Sequence, residues 1–151
     1  MKKLFILFSV FIQVSCTPGD QKLNALQNRI DSLENKLANT YTPGFGEFMS
    51  NIQLHHIKLW FAGKNQNWKL ADFEIHEIME SLDDIRKFET GRKESKFTTM
   101  LNPALDSVNN AIAEKNEARF RESYVLLTNT CNNCHRDNDF GFNVVKVPET
   151  E

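Results

Sequence analysis

Apolar positions recur at helical spacing along almost the whole chain, and almost nothing alternates with the period of two expected of a strand. The first pattern is Leu23, Leu26, Ile30, Leu33 and Leu37, separated alternately by three and four residues, with Lys, Asn, Gln, Arg and Glu between them. That is an a/d stripe of about two heptads, short for a coiled coil on its own but narrow, as a coiled-coil seam is. It predicts a stalk helix that associates with its copies. The other arrangement is an amphipathic helix folded back on the body. Thr42-Pro43-Gly44 closes this segment and marks a domain boundary.

Beyond that boundary four helical patterns follow. The first puts Phe45, Met49, Ile52, His56, Leu59 and Gly63 on one face, while Leu54, Ile57 and Phe61 cover much of the opposite side. Such a helix is expected to be buried more than usual. The second carries Trp68, Ala71, Ile75, Met79, Leu82 and Ile85, and Thr90-Gly91 ends it. The third carries Leu101, Ala104, Leu105, Val108 and Ile112; Pro103 either starts it or kinks a longer helix that begins near Lys96. The fourth opens at Asn116 and runs through Phe120, Tyr124, Leu127, Cys131 and Cys134. The fold class expected is all-α: an antiparallel four-helix bundle over residues 44–138, preceded by a short coiled-coil-like helix. Residues 139–151 form an irregular tail. Its Phe140, Phe142, Val144 and Val145 predict that part of it packs back on something.

The start of the chain changes the setting. Met1-Lys2-Lys3, a short apolar run over 4–14 and Ser15 before Cys16 predict a secretory signal over residues 1–15. The run is short for a bilayer span. The segment resembles a bacterial lipoprotein signal, which implies that Cys16 becomes the lipidated first residue and that residues 16–43 form an anchored stalk. Gln13 departs from the leucine or branched residue usual there, and an ordinary cleaved signal is the other reading. Export places the chain in the cell envelope, facing the periplasm or the cell surface. In that oxidising space a bare pair of Cys131 and Cys134 tends to form a disulfide. A net charge of −2 gives no basic patch for nucleic acid.

The candidate chemistry lies in Cys131-Asn132-Asn133-Cys134-His135. At spacings of three and four, both thiols and the imidazole share one helical face, and the cysteines continue the apolar stripe. A c-type haem needs this arrangement: two thiols add across two vinyl groups, and the adjacent imidazole reaches the iron. A redox-active CxxC needs a strand-to-helix setting that is not seen here. A zinc site needs two more ligands, for which His55, His56 and His76 are present without a second half-motif.

A four-helix bundle with CxxCH near the end of its last helix resembles the cytochrome c prime family, over roughly residues 45–137. The resemblance implies an exported bundle around one covalent haem c, with His135 as proximal iron ligand and the distal side formed by the first helix. The chain departs from that family in its phenylalanine-bearing tail. It departs again in Asp137-Asn138-Asp139, which stands where a basic residue usually lies one turn beyond the histidine. The block MSNIQLHHIKLWFAGKNQNWKLADFEIHEI also resembles a stretch of small bacterial envelope proteins, and no activity attaches to it.

The sixth iron position decides between carrier and ligand binder. In an antiparallel bundle the start of the first helix lies beside the end of the fourth. Met49, rather than His56 two turns on, is therefore expected at haem depth. Haem bundles that use methionine take it from this part of the first helix, so the resemblance agrees. Of His55 and His56, one is expected buried or beside a haem propionate and the other facing solvent, with His56 the alternative ligand. His76 is expected at the surface and Trp60 and Trp68 in the core; Gln53 and Asn67 are polar candidates for the pocket that spacing alone does not place. The leading expectation is a membrane-tethered monohaem electron carrier: Cys131 and Cys134 hold the porphyrin, and His135 and Met49 hold the iron. Its partners are a redox protein of the envelope, the membrane through the lipid anchor, and a second copy through the stalk. The alternatives are a five-coordinate haem protein binding NO or CO, and a haem-free scaffold whose cysteines are bridged. Nothing points to an enzyme: no paired carboxylates, nucleophile elbow, phosphate loop or zinc-protease helix occurs.

Overall fold

The computed structural model describes residues 18–38 and 43–149, and every regular element among them is helical. The expected leader over 1–15, the lipidation at Cys16 and the last acidic residue, Glu151, lie outside the described residues. The chain divides into two units, Met1–Thr42 and Pro43–Glu151. No helix among the described residues is long and apolar enough to cross a membrane.

In the first unit, helix α1 (Pro18–Ala38) carries Asp20 in its first turn and Lys36 in its last, the charge order that suits the helix dipole. The stripe Leu23, Leu26, Ile30, Leu33 and Leu37 is exposed, from 46% at Ile30 to 76% at Leu37.

The second unit contains α2 (Phe45–Lys64), α3 (Trp68–Phe88), a short α4 (Lys93–Phe97) with a 3-10 turn at Thr98–Leu101, α5 (Asn102–Ala113) and α6 (Glu117–Asp137). Pro103 stands in the first turn of α5, where its missing N–H costs no helical bond. The longer helix considered from Lys96 onward is therefore broken into α4, the 3-10 turn and α5. The connections α2–α3 and α5–α6 have the same chemistry. Each ends its first helix with a residue in the left-handed region, Gln66 (φ 55°) and Lys115 (φ 53°). In each, the next amide closes back on the helix, Asn67 N–H to Ala62 O at 2.9 Å and Asn116 N–H to Ala111 O at 3.0 Å. That same asparagine then caps the following helix, accepting from Leu70 N–H at 3.2 Å and from Arg119 N–H at 3.1 Å. Asn67, a polar candidate for the pocket, is thus occupied as a helix cap.

The core is built by α2, α3, α5 and α6, with α2 lying against α3 and α6, and α5 against the same two. Ala71, Ile75, Leu82 and Ile85 of α3, Leu105, Val108 and Ile112 of α5, and Phe120, Tyr124 and Leu127 of α6 are all buried. Trp60 stacks on Phe120 at a centroid separation of 6.4 Å, Tyr124 packs tilted against both at 4.9 and 5.9 Å, and Trp68 meets Phe120 edge-on. Gly63 lets Phe120 lie directly on the α2 backbone: a Cβ there would stand 2.2 Å from the ring. The expected burial of both sides of α2 does not hold. Leu54, Ile57 and Phe61 are 37–54% exposed, because α3 and α6 cover one side of the helix and leave this one facing solvent.

Both neighbouring histidines are buried, so the solvent-facing member of the pair is also corrected. The sequence offered His55 no obvious partner, yet fully buried Glu74 on α3 accepts from its Nδ1 at 2.6 Å, and the Lys58 ammonium meets the other carboxylate oxygen at 2.7 Å. An ion pair shields the carboxylate from the cost of isolated burial. His56 is hydrogen-bonded through both ring nitrogens, Nδ1 to the Tyr124 hydroxyl at 2.9 Å and Nε2 to Thr128 Oγ1 at 2.9 Å. His76 is exposed, as expected.

Burial holds His56 neutral, with its pKa down at about 4 from the ordinary 6.5. Above pH 6.5 the ring is neutral whether the chain is folded or unfolded. As pH falls from there to about 4, only the unfolded chain takes the proton, so folding weakens over that window. Between pH 7 and 4.5 the wild type should lose about 2.5 kcal/mol more stability than His56→Gln in urea titrations. Equal losses would mean that the ring is not held neutral.

Candidate functional site

The last two turns of α6 carry the thiols and His135, and two turns of α2, the α3–α4 connection and the tail close around His135; Cys131 borders only the smaller of the two spaces there, and Cys134 borders neither. A cavity of about 430 Å³ is lined by Phe45, Gly46, Met49, Ser50 and Gln53 of α2, by Arg92 and Glu94, by His135 and Asn138, and by Phe140 and Asn143 of the tail. A smaller pocket of about 60 Å³ adjoins it through Met49, Gln53, His135 and Asn143, and adds Cys131, Ile52, His56 and Leu82. Met49 and His135 therefore line both spaces. Met49 is partly buried and packs against the core. His56 borders only the smaller pocket, and its two ring nitrogens are already taken by Tyr124 and Thr128.

Helix α6 ends just beyond the motif in a turn like those of the two helix connections. Asp139 adopts φ 68°, a conformation that aspartate tolerates better than most residues, and Phe140 N–H closes onto His135 O at 2.7 Å. The tail then runs back along α6. His135 Nδ1 lies 2.6 Å from the Asn143 carbonyl, which can only accept. Nδ1 therefore carries a proton, and in the neutral ring Nε2 is the nitrogen with the lone pair, the tautomer a metal-binding imidazole needs. Asn132 holds Val145 by two bonds of 2.8 Å, one from its carboxamide N–H to Val145 O and one from Val145 N–H to its Oδ1. Val145 is buried and Val147 packs on the core, so the tail expected to be irregular does return to the body.

Cys131 and Cys134 are free thiols, both half-buried. Burial pushes the Cys131 thiol up to about 12, helped by Cys134, and raises Cys134 as well. Both are thus protonated near neutrality, a poor state for thiol–disulfide exchange, which needs a thiolate. Among the described residues no three His, Cys, Asp or Glu side chains converge as a metal-holding group, and a structural zinc site would need four ligands.

The residues suit a haem in size and chemistry. A volume of about 430 Å³ is within the range of cofactor sites. Phe45, Met49 and Phe140 give apolar wall. The Arg92 guanidinium, 5.0 Å above the Phe45 ring, puts a cation in the wall, where its Nε already lies 3.7 Å from a Glu94 carboxylate oxygen. Asn138 Oδ1, on a residue of the cavity wall, is buried with no hydrogen-bond partner. An acceptor left so costs about 1–3 kcal/mol until a donor reaches it. Periodicity could not reveal Arg92, Asn132 or Asn143, which act from a loop, from the motif's interior and through a backbone carbonyl. Comparison with protein-family models, curated proteins and solved structures finds no match to the chain.

Proposed function

We propose that the chain is a monohaem c-type cytochrome of the bacterial cell envelope that carries electrons, and that its body is an antiparallel four-helix bundle resembling the cytochrome c prime family. One observation carries this reading: the motif's His135, its Nδ1 proton committed to the Asn143 carbonyl, shares one cavity with Met49. Cys131 and Cys134 would hold the porphyrin, each thiol adding S–H across one vinyl group, a step that needs no net oxidation. His135 Nε2 and the Met49 thioether would hold the iron, and Arg92 would meet a haem carboxylate. When bound, the haem supplies a one-electron couple. The protein's part is to keep both ligands through the cycle and to exclude water. No substrate chemistry is assigned to it. Cys16 tethers the chain to the membrane through lipid, and α1 joins copies through its exposed leucine stripe, placing the haem body where an envelope redox protein can meet it.

The test is pigment. Residues 16–151, with Cys16 replaced by serine, are expressed in a host that attaches haem c. After acid–acetone extraction the protein should keep a haem spectrum, and Cys131→Ser with Cys134→Ser should lose it completely. A colourless wild-type product, beside a pigmented control cytochrome, would leave the disulfide-bridged scaffold instead.

A further inference from the structure

Asn132 lies inside the attachment motif, three residues before His135 and so on the same side of α6. Its carboxamide makes the two bonds of 2.8 Å to Val145 described above, using its donor and its acceptor on one backbone residue. Two residues earlier in that returning tail is the carbonyl that takes the His135 Nδ1 proton at 2.6 Å. The other bonds near the turn, Asn138 Nδ2–H to Cys134 O and Asn143 N–H to Phe140 O, both 2.8 Å, set the path of the tail but do not tie it to α6 beyond the turn.

We propose that Asn132 is a positioning residue for His135: by pinning Val145 it fixes the Asn143 carbonyl against the imidazole, and the tail acts as a strap that sets the donor nitrogen. The tautomer part depends only on the chain. The effect at iron rests on the haem reading above. A carbonyl held on Nδ1 makes the imidazole a stronger donor, which favours ferric iron. A carbonyl carried by an unpinned tail would leave the ring free to turn and the proton free to move to Nε2. The identity of residue 143 matters little here, because its main chain does the work; the identity of residue 132 matters, because both ends of its carboxamide are used. Asn133, its neighbour in the motif, is exposed and bonds Arg136 instead.

The experiment compares wild type, Asn132→Ala, Asn132→Asp and Asn133→Ala. In the haem-free full chain, ring nitrogen shifts should report His135 as the Nδ1–H tautomer. In Asn132→Ala that preference should be lost, and the Val145 amide should exchange with solvent roughly tenfold faster. In the haem-loaded protein at fixed ambient potential, the ferric-to-ferrous ratio of Asn132→Ala should fall by roughly tenfold, about 59 mV for one electron. Asn132→Asp keeps the acceptor for Val145 N–H and should fall between the two; Asn133→Ala should match wild type. Unchanged exchange in Asn132→Ala would overturn the clamp. Faster exchange with unchanged ring nitrogens would overturn the positioning role. A chain that takes no haem defeats the functional reading alone, and the ring nitrogens still decide this one.

Discussion

Gly63→Ala should destabilise the body by about 3 kcal/mol and lower Tm by roughly 15 °C. Helix propensity alone argues the reverse, since alanine is better than glycine inside a helix by about 1 kcal/mol. The packing decides. A Cβ at residue 63 would lie 2.2 Å from two carbons of the Phe120 ring, far inside contact distance. Phe120 is fully buried, and Trp60, Trp68 and Tyr124 stand around it, so the ring has nowhere to move without opening the core. Thermal melts followed by circular dichroism measure the loss. Phe120→Leu in the same chain should recover part of it, because the two sites are in contact and their effects do not add. An equal or higher Tm in Gly63→Ala would show that α2 and α6 do not meet at this point.

Met49→Ala should convert the reduced haem protein from one that ignores carbon monoxide to one that binds it. On the carrier reading proposed above, the thioether would complete the iron's coordination, and carbon monoxide would have to displace it. Removing it opens the sixth position next to a cavity with ample room. The variant's potential should also fall, since the thioether is the ligand that stabilises ferrous iron. Visible spectra of the reduced proteins, with and without carbon monoxide, measure the first effect, and a redox titration the second. If the wild type itself shifts with carbon monoxide, the five-coordinate, gas-binding reading replaces the carrier. Met49 is then a core side chain whose truncation costs about 2 kcal/mol of stability and changes no spectrum.

Spacing carried the reading as far as spacing can. Most residues of the apolar stripes of α3, α5 and α6 are buried, although Trp68, Met79, Cys131 and Cys134 are only half-buried and Ile78, outside the stripe of α3, is buried. The same logic misread α2. Leu54, Ile57 and Phe61 look like a second core face, and apolar type alone does not say how many neighbours a helix has. Placing Met49 near His135 needed only the direction of two helices. The wall around them did not follow from pattern. Arg92 comes from a turn, Phe140 and Asn143 from a tail without periodicity, and the hydrogen-bonding atom of Asn143 is one that every residue has. Glu74 reads in the sequence as one more charge on a helix. Its burial is set by His55 and Lys58 on another element, at a separation that no local pattern reports.

The matching turns at Gln66 and Lys115 bear on the order in which the body forms. Each joins helices adjacent in sequence, so α2 with α3, and α5 with α6, close over short loops at little entropic cost. The cavity is different: Phe45 and Met49 come from the first helix of the body, His135 and Phe140 from its last helix and the tail, and neither turn brings them closer. The two helix pairs should therefore form early and the cavity last. During that interval Cys131 and Cys134 lie on a helix already made but not yet covered, which is when a bulky planar group can still reach both thiols.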